Sequence, residues 1–149
     1  MRFLVAVDGS QHSRRALEYA VELATAADAT LTLAYAATPT VSVEGGSDPI
    51  AGFDDAEDRL LIEDADETQD RGRRILREAR ATAEEGGVTV ETELLYGDPV
   101  DAIPEFVSGH EFDGVFVGHR GLSDRHEGLV GSVAKELVSR SPVPVTVVR

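Results

Sequence analysis

Short continuous apolar runs alternate along this chain with longer segments in which apolar residues recur every three or four positions. The runs are typical of parallel β-strands buried on both faces, and the recurring pattern is typical of helices with one apolar face. The alternation predicts an α/β fold of five strands and four helices. The predicted strands cover residues 2–7, 30–36, 88–95, 113–117 and 143–148.

Local signals indicate where the first two helices begin and end. Ser10 follows the first strand and is a good N-cap for a helix that is expected to run to about Ala27. Helical spacing resumes at Leu60 and continues to Ala83. It stops at Gly86-Gly87, where glycine permits a left-handed C-cap.

The third helix has a clear beginning and an internal proline. Asp98 is placed to act as its N-cap, and Pro99 occupies the first helical position, where proline is favoured. Pro104 lies inside the helix and removes one hydrogen bond. We therefore expect this helix to be kinked or shortened.

Residues 37 to about 55 have no periodicity and are rich in Gly, Pro, Ser and acidic side chains. This composition predicts a loop of nearly twenty residues. Loops of that length are usually functional. The segment therefore either lies over a bound ligand or is a variable insertion.

Length and composition restrict the class of protein. The 149 residues, 42% of them hydrophobic, fit one domain over residues 1–149. No apolar run approaches the roughly 20 residues that a bilayer span needs, and Met1-Arg2 leads straight into a strand, so we expect a cytoplasmic protein without membrane contact. The absence of cysteine excludes disulfides and thiolate metal sites.

The charge is strongly acidic. The formal net charge is -14, and Lys135 is the only lysine among 14 basic residues. Nucleic acid is therefore excluded as an expected partner. So much like charge disfavours the folded state, and molar salt relieves the repulsion by screening. The composition indicates a salt-adapted protein, and the alternative is an acidic protein from ordinary conditions.

A glycine-containing stretch from Gly118 to Ser132 connects the fourth strand to the fourth helix. Gly118 would let the chain turn sharply off the strand, and Gly121 would let backbone N–H groups approach an anion without an intervening β-carbon. Gly131 and Ser132 precede the helix, whose unpaired amides would face the same anion. Ser132 would add its hydroxyl or cap the helix. The stretch predicts a phosphate-binding loop, and the alternative is a surface loop that binds nothing.

The glycine spacing in this loop resembles a family pattern. Glycine, two residues, glycine, nine residues, glycine and serine is the pattern by which the ATP-binding branch of the universal stress protein (UspA-like) family is recognised. The first twenty residues, MRFLVAVDGSQHSRRALEYA, and the last segment, SRSPVPVTVVR, are also similar to that family. The resemblance implies a doubly wound, Rossmann-like parallel sheet with strand order 3-2-1-4-5.

The resemblance further implies a regulatory protein that binds ATP with Mg²⁺ and forms a homodimer through its C-terminal strand. Asp8, at the carboxyl end of the first strand, would lie beside the nucleotide and hold the metal ion; alternatively it only opens the turn with Gly9. The binding residues implied by the resemblance are Asp8, Ala36, Val117, Gly118, Arg120, Gly121, Gly131, Ser132 and Val133.

The loop contains four basic residues, one of which departs from the family pattern and two of which raise the alternative of a zinc site. His119 stands where the family usually has Ser or Thr, whereas Arg120 falls near the expected phosphates. Arg125 and His126 lie further along the loop, and phosphate oxygens are natural partners for all four groups. A zinc site from His119 and His126 would need a third ligand, which the sequence does not indicate.

Three rival functions remain open. A related adenine-nucleotide hydrolase would resemble SGGxDS after the first strand, where this chain has DGSQHS. A phosphoacceptor receiver would need an acidic cluster there and a lysine after the fifth strand. A nucleotide-free interaction module would keep the fold and lose the glycines. The sequence places no general base near the phosphates, so it gives no argument for efficient hydrolysis.

Overall fold

The computed structural model describes residues 1–38, 53–121 and 130–149, and for residues 53–66 it describes the backbone alone. Most of the predicted loop at 37–55 therefore lies outside the described residues. The elements follow one another as β1 (Arg2–Ala6), α1 (Gln11–Ala27), β2 (Thr30–Ala37), α2 (Phe53–Glu85), β3 (Val90–Tyr96), α3 (Pro99–Gly109), β4 (Gly114–Gly118), α4 (Ser132–Arg140) and β5 (Val145–Val148).

The five strands form one parallel sheet in the order β3-β2-β1-β4-β5. This confirms the predicted α/β class and the strand order. The chain moves outwards from β1 in one direction to β3 and then crosses back to β4, which pairs with β1 through Phe3↔Gly114 and Val5↔Phe116. Because the order reverses between β1 and β4, a crevice opens at their carboxyl ends.

Helices cover both faces of the sheet, which explains the continuous apolar runs. Val5 packs in a core cluster with Leu17 of α1 and Leu76 of α2. Its neighbour Leu4 points the other way, into a cluster with Val107 of α3 and Leu137 of α4. Successive strand residues face opposite sides of a sheet, so both sides of β1 must be apolar.

The caps follow the sequence signals. Ser10 caps α1 by accepting the Ser13 N–H at 3.1 Å, and Asp98 caps α3 by accepting the Val100 N–H at 3.0 Å. At the end of α2, Gly87 has φ +78°, and the Val88 N–H donates to Ala83 O at 3.4 Å. Val88 therefore belongs to the helix cap, and β3 begins two residues later than predicted.

Two helices differ from the sequence pattern. Helix α2 begins at Phe53, seven residues before the first apolar pair of the pattern, and so extends into the region predicted as loop. Helix α3 is continuous through the buried Pro104 and ends at Gly109. None of the helices in the described part of the chain combines the length and apolarity that a bilayer crossing requires.

Candidate functional site

A cavity of about 310 Å³ lies at the carboxyl edge of the sheet, where β1 and β4 are neighbours. The topology brings the ends of β1, β2 and β4 to this edge together with the first residues of α3 and α4. All nine residues proposed from the sequence line this cavity: Asp8, Ala36, Val117, Gly118, Arg120, Gly121, Gly131, Ser132 and Val133. Their role in ligand binding stays a prediction.

The Asp8 carboxylate has a structural function and also lies at the cavity. Its Oδ1 accepts the Ser10 N–H at 2.8 Å, which fixes the turn between β1 and α1. Its Oδ2 lies on the side of Gly121, since a β-carbon on residue 121 would stand 2.7 Å from that oxygen. The two interpretations of Asp8 are therefore compatible, because one oxygen holds the turn and the other lies near the glycine loop.

Gly118 is required for a reason that the sequence did not indicate. It is the last residue of β4, and its backbone is not left-handed, so it does not produce the sharp turn that was expected. A β-carbon there would lie 2.7 Å from the carbonyl carbon of His12 and 2.9 Å from its β-carbon. Glycine at this position therefore allows α1 to pack against the end of β4.

Helix α4 begins at the cavity wall, which its first three residues line together with Gly131. Gly131 is the N-cap and has no side chain, and its own N–H donates to His119 O at 2.8 Å. Ser132 is the first helical residue, so of the two roles considered for it the helix cap is wrong, and the hydroxyl contact with a ligand stays a prediction. The amides of the first helical turn have no intrahelical acceptor, and the helix dipole adds partial positive charge there. This end of α4 suits an anion.

The basic residues of the loop have different environments. Arg120 is half-buried and lines the cavity. His119 is only 6% exposed, and its ring centroid lies 6.3 Å from that of His12. Its backbone N–H donates to Val148 O at 2.7 Å. Arg125 and His126 lie outside the described residues, so the zinc alternative is untested. Among the described residues, no three metal-ligating side chains form a cluster.

Sequence reasoning missed Tyr35 as a cavity residue. Its side chain is 8% exposed, and burial raises the pKa of the phenol, with Arg71 lowering it and Asp8 raising it. The ring lies directly against α2, because a β-carbon on Gly72 would stand 2.6 Å from Tyr35 Cδ1. A glycine in the middle of a helix costs about 1 kcal/mol relative to alanine. Gly72 in the middle of α2 was therefore a signal in the sequence that another group packs closely against the helix there.

The start of α3 was also missed as part of the cavity. It contributes Asp98, Pro99, Val100 and Ile103. The sequence identified Asp98 as a helix cap, and its Oδ1 is used for that purpose. Because α3 follows β3 at the same edge of the sheet, its first turn faces the ends of β1 and β2. These residues could have been identified from the sequence by the rule that ligands bind at the carboxyl edge of a parallel sheet.

Comparison with known proteins agrees with this fold. The family model for the universal stress protein family matches residues 1–149. Universal stress protein YxiE of Bacillus subtilis (strain 168) is 31% identical over 148 residues, which cover 99% of this chain and 98% of YxiE.

Solved structures show the same architecture. Universal stress protein UspA from Lactobacillus plantarum superposes with a TM-score of 0.83 at 26% identity, covering 100% of this chain and 97% of that one. A universal stress protein crystallised in complex with cAMP has a TM-score of 0.71 at 30% identity, with 100% and 97% covered. Since the family model spans the chain and a close relative matches along its whole length, this chain belongs to the universal stress protein family.

Proposed function

We propose that this protein binds ATP in the cavity at the carboxyl edge of the sheet and acts as a regulatory protein. The observation that carries the proposal is that the nine residues selected from the sequence line one cavity of about 310 Å³, next to the N-terminus of α4. That volume is at the lower end of the range for small-molecule sites. The cAMP complex of a 30% identical relative supports an adenine nucleotide as the ligand class.

The two ends of the cavity differ in chemistry, and this suggests how ATP would lie. The glycine loop, Arg120 and the first amides of α4 offer positive partial or full charge, which suits the phosphates. Ala36, Val100 and Ile103 offer an apolar wall, which suits the base. The nucleotide would therefore lie across the ends of β1 and β4.

The residues present fit a magnesium ion bound together with the nucleotide. Mg²⁺ usually keeps several waters and takes one or two carboxylates in addition to substrate phosphates. Asp8 supplies one carboxylate, whose Oδ2 is not used by the turn hydrogen bond to Ser10. When bound, the ion would offset the charge of the phosphates, and Asp8 would hold it near the loop.

We propose that nucleotide occupancy stabilises the protein and that ATP is not consumed at an efficient rate. Efficient hydrolysis needs a base or a residue that positions the attacking water, and the sequence offers no side chain in that role. A ligand that binds only the native state raises its stability in proportion to the logarithm of its concentration. Occupancy could in this way report the nucleotide level.

Mass spectrometry of the protein purified without added nucleotide tests the ligand. We expect ATP, or another adenine nucleotide, to be released on denaturation. Isothermal titration calorimetry with and without Mg²⁺ then gives the affinity, which we expect to be micromolar or better and stronger with the ion. If neither ATP nor AMP binds the nucleotide-free protein at 1 mM, as a rough limit on useful affinity, the proposal is wrong.

We also propose a homodimer through β5, for which the edge of the sheet gives a specific reason. Strand β5 pairs with β4 on one side, and in the described part of the chain no strand covers its other side. The Pro144 carbonyl accepts from Val115 of β4, and the Val148 carbonyl accepts from His119, the residue that follows β4. Because successive residues of a strand point their backbone groups to opposite sides, those of Val145 and Val147 face the open edge. Pairing with a second copy would satisfy them.

A further inference from the structure

A second cavity, of about 640 Å³, lies between α1 and α2 on the face of the sheet opposite α3 and α4. It adjoins the first cavity, because Val7, Asp8 and Ser13 line both. We call it the α1–α2 groove, defined by the helix residues that line it. These are Ser13, Arg14, Leu17 and Glu18 of α1 and Arg71, Arg74, Ile75, Glu78, Ala79 and Thr82 of α2.

Three arginines in this groove have guanidinium groups without a hydrogen-bond or ion-pair partner among the described side chains. Among the residues whose side chains the structure describes, Arg14, Arg71 and Arg74 make no hydrogen bond or ion pair through their guanidinium groups. Other arginines of α2 do form such pairs: Arg73 with Asp70 at 3.5 Å and Arg80 with Glu84 at 2.7 Å. The difference is notable in a chain with a net charge of -14.

Carboxylates are available to these arginines by position, yet the contacts are not made. Glu18 is one helical turn after Arg14, and Glu78 is one turn after Arg74, which is the spacing that allows ion pairs on a helix. Neither pair comes within 4.0 Å in the structure. The groove therefore presents guanidinium donors and carboxylate acceptors separately, above an apolar floor that includes Leu17 and Ile75.

We propose that the α1–α2 groove is a second ligand site, which takes the phosphate of a phosphorylated sugar. Guanidinium groups match phosphate oxygens in charge and in planar donor geometry. A ligand with a single carboxylate carries too little negative charge to match three arginines, whereas a phosphate suits them better. Bare inorganic phosphate would leave the three carboxylates that line the groove, those of Asp8, Glu18 and Glu78, facing an anion without compensation. A sugar phosphate also brings hydroxyl groups, which can donate hydrogen bonds to those carboxylates. Binding of a free sugar phosphate at this site does not depend on ATP binding in the first cavity.

The phosphorylated sugar has two possible sources, which one experiment separates. It is either a free sugar phosphate or the ribose phosphate of a nucleotide that reaches from the first cavity past Asp8 and Ser13. The probe is ribose 5-phosphate, titrated by calorimetry at the lowest KCl concentration that keeps the protein folded. We expect a dissociation constant of about 1 mM or lower, and weaker binding of inorganic phosphate.

The test variant is Arg14→Gln/Arg74→Gln. These two residues line only the groove, whereas the charge of Arg71 also reaches Tyr35 in the first cavity. Loss of two charged hydrogen-bond donors should lower the affinity for ribose 5-phosphate at least about tenfold. The matched control, Arg73→Gln/Arg77→Gln, removes the same charge from α2 outside the groove and should change the affinity less than about twofold.

Repeating the titration with saturating ATP identifies the source. Undiminished binding indicates a free sugar phosphate. Competition, together with ATP binding that is weaker in Arg14→Gln/Arg74→Gln than in the control variant, indicates that the nucleotide itself reaches the groove. Failure of ATP to bind the wild type would remove the proposed function and leave the first titration valid. The groove proposal is overturned if ribose 5-phosphate does not bind at 10 mM, or roughly ten times the expected constant. Equal weakening in test and control variants would overturn it too.

Discussion

The α-carbon of Gly118 lies against the backbone of His12, so that a β-carbon on residue 118 would stand 2.7 Å from the His12 carbonyl carbon. This contact joins the end of β4 to the first turn of α1. Gly118→Ala should therefore push α1 away from the sheet and lower the free energy of unfolding by about 1–3 kcal/mol, the usual cost of overpacking. Urea denaturation at constant KCl measures the effect.

Gly114→Ala is the matched control for that variant. Gly114 lies at the other end of β4, and its β-carbon would meet Phe3 Cδ1 at 3.5 Å, an ordinary contact distance. We expect a smaller loss of stability there. Equal losses in the two variants would mean that the contact with His12 does not explain Gly118.

Gly121→Val should weaken ATP binding. The added side chain would meet Asp8 Oδ2, since even the β-carbon would lie 2.7 Å away, and it would take up space in the cavity. We expect calorimetry to show an ATP affinity at least about tenfold weaker, which corresponds to 1.4 kcal/mol. Gly109→Val is the control, because nothing lies within 4 Å of a β-carbon at that surface position. Unchanged ATP affinity in Gly121→Val would place the site elsewhere.

The sequence was sufficient for features that depend on neighbouring residues. The Asp98-Pro99 helix start and the cap at Gly87 follow from local backbone chemistry, and each lies where it was predicted. The strand order came from family resemblance and is confirmed by the sheet. The residues that line the cavity also came from that resemblance, and they lie together because the carboxyl ends of neighbouring parallel strands meet at one edge.

Features that depend on how distant elements pack could not be predicted. Gly72 is 37 positions from Tyr35 in the chain, and although a mid-helix glycine signals a close approach, neither segment indicates that the Tyr35 ring is what approaches. The reason for Gly118 likewise depends on the distance between α1 and β4. The groove between α1 and α2 depends on how the two helices pack, and helical spacing alone does not indicate that Arg71 and Arg74 of α2 line the same groove as Arg14 of α1.

Tyr35 should make stability depend on pH in the alkaline range. Burial raises the pKa of its phenol above the ordinary value of 10.0, so the folded state keeps the proton while the unfolded state loses it. The unfolded state then binds fewer protons, and the free energy of unfolding falls as the pH rises through 10. Tyr35→Phe cannot lose a proton and should show a shallower fall. Parallel curves from about pH 9 to 11 would contradict this account.

The acidic, lysine-poor composition predicts that stability rises with salt. Charges of one sign repel in the folded state, and the Debye length shortens from about 10 Å at 0.1 M to about 3 Å at 1 M. The described ion pairs are exposed at the surface and offset little of this repulsion. The melting temperature should increase with KCl over the molar range. NaCl at equal ionic strength should give a similar increase if screening is the cause, and a flat or falling curve would remove the salt-adaptation hypothesis.

Val147→Pro should convert the proposed dimer to a monomer. The side chains of Val145 and Val147 already pack against the core cluster under α3 and α4, so the edge offers mainly backbone groups and half-buried apolar surface. The Val147 N–H faces the open edge, because the neighbouring Val148 carbonyl is used by His119 of the same chain. Proline would remove that donor without removing a bond to β4. We expect the mass from sedimentation at molar KCl to fall by half.

Val147→Thr is the control for the dimer, because it keeps the N–H and nearly the same volume while changing the side chain. It should retain the dimer mass even if the added hydroxyl lowers the melting temperature. If Val147→Pro folds, as judged by circular dichroism, and keeps the dimer mass, β5 is not the interface. If both variants become monomeric, the contact depends on the valine side chain and not on the backbone ladder. The edge argument would then be wrong, because it assigns the pairing to the unsatisfied backbone groups of β5.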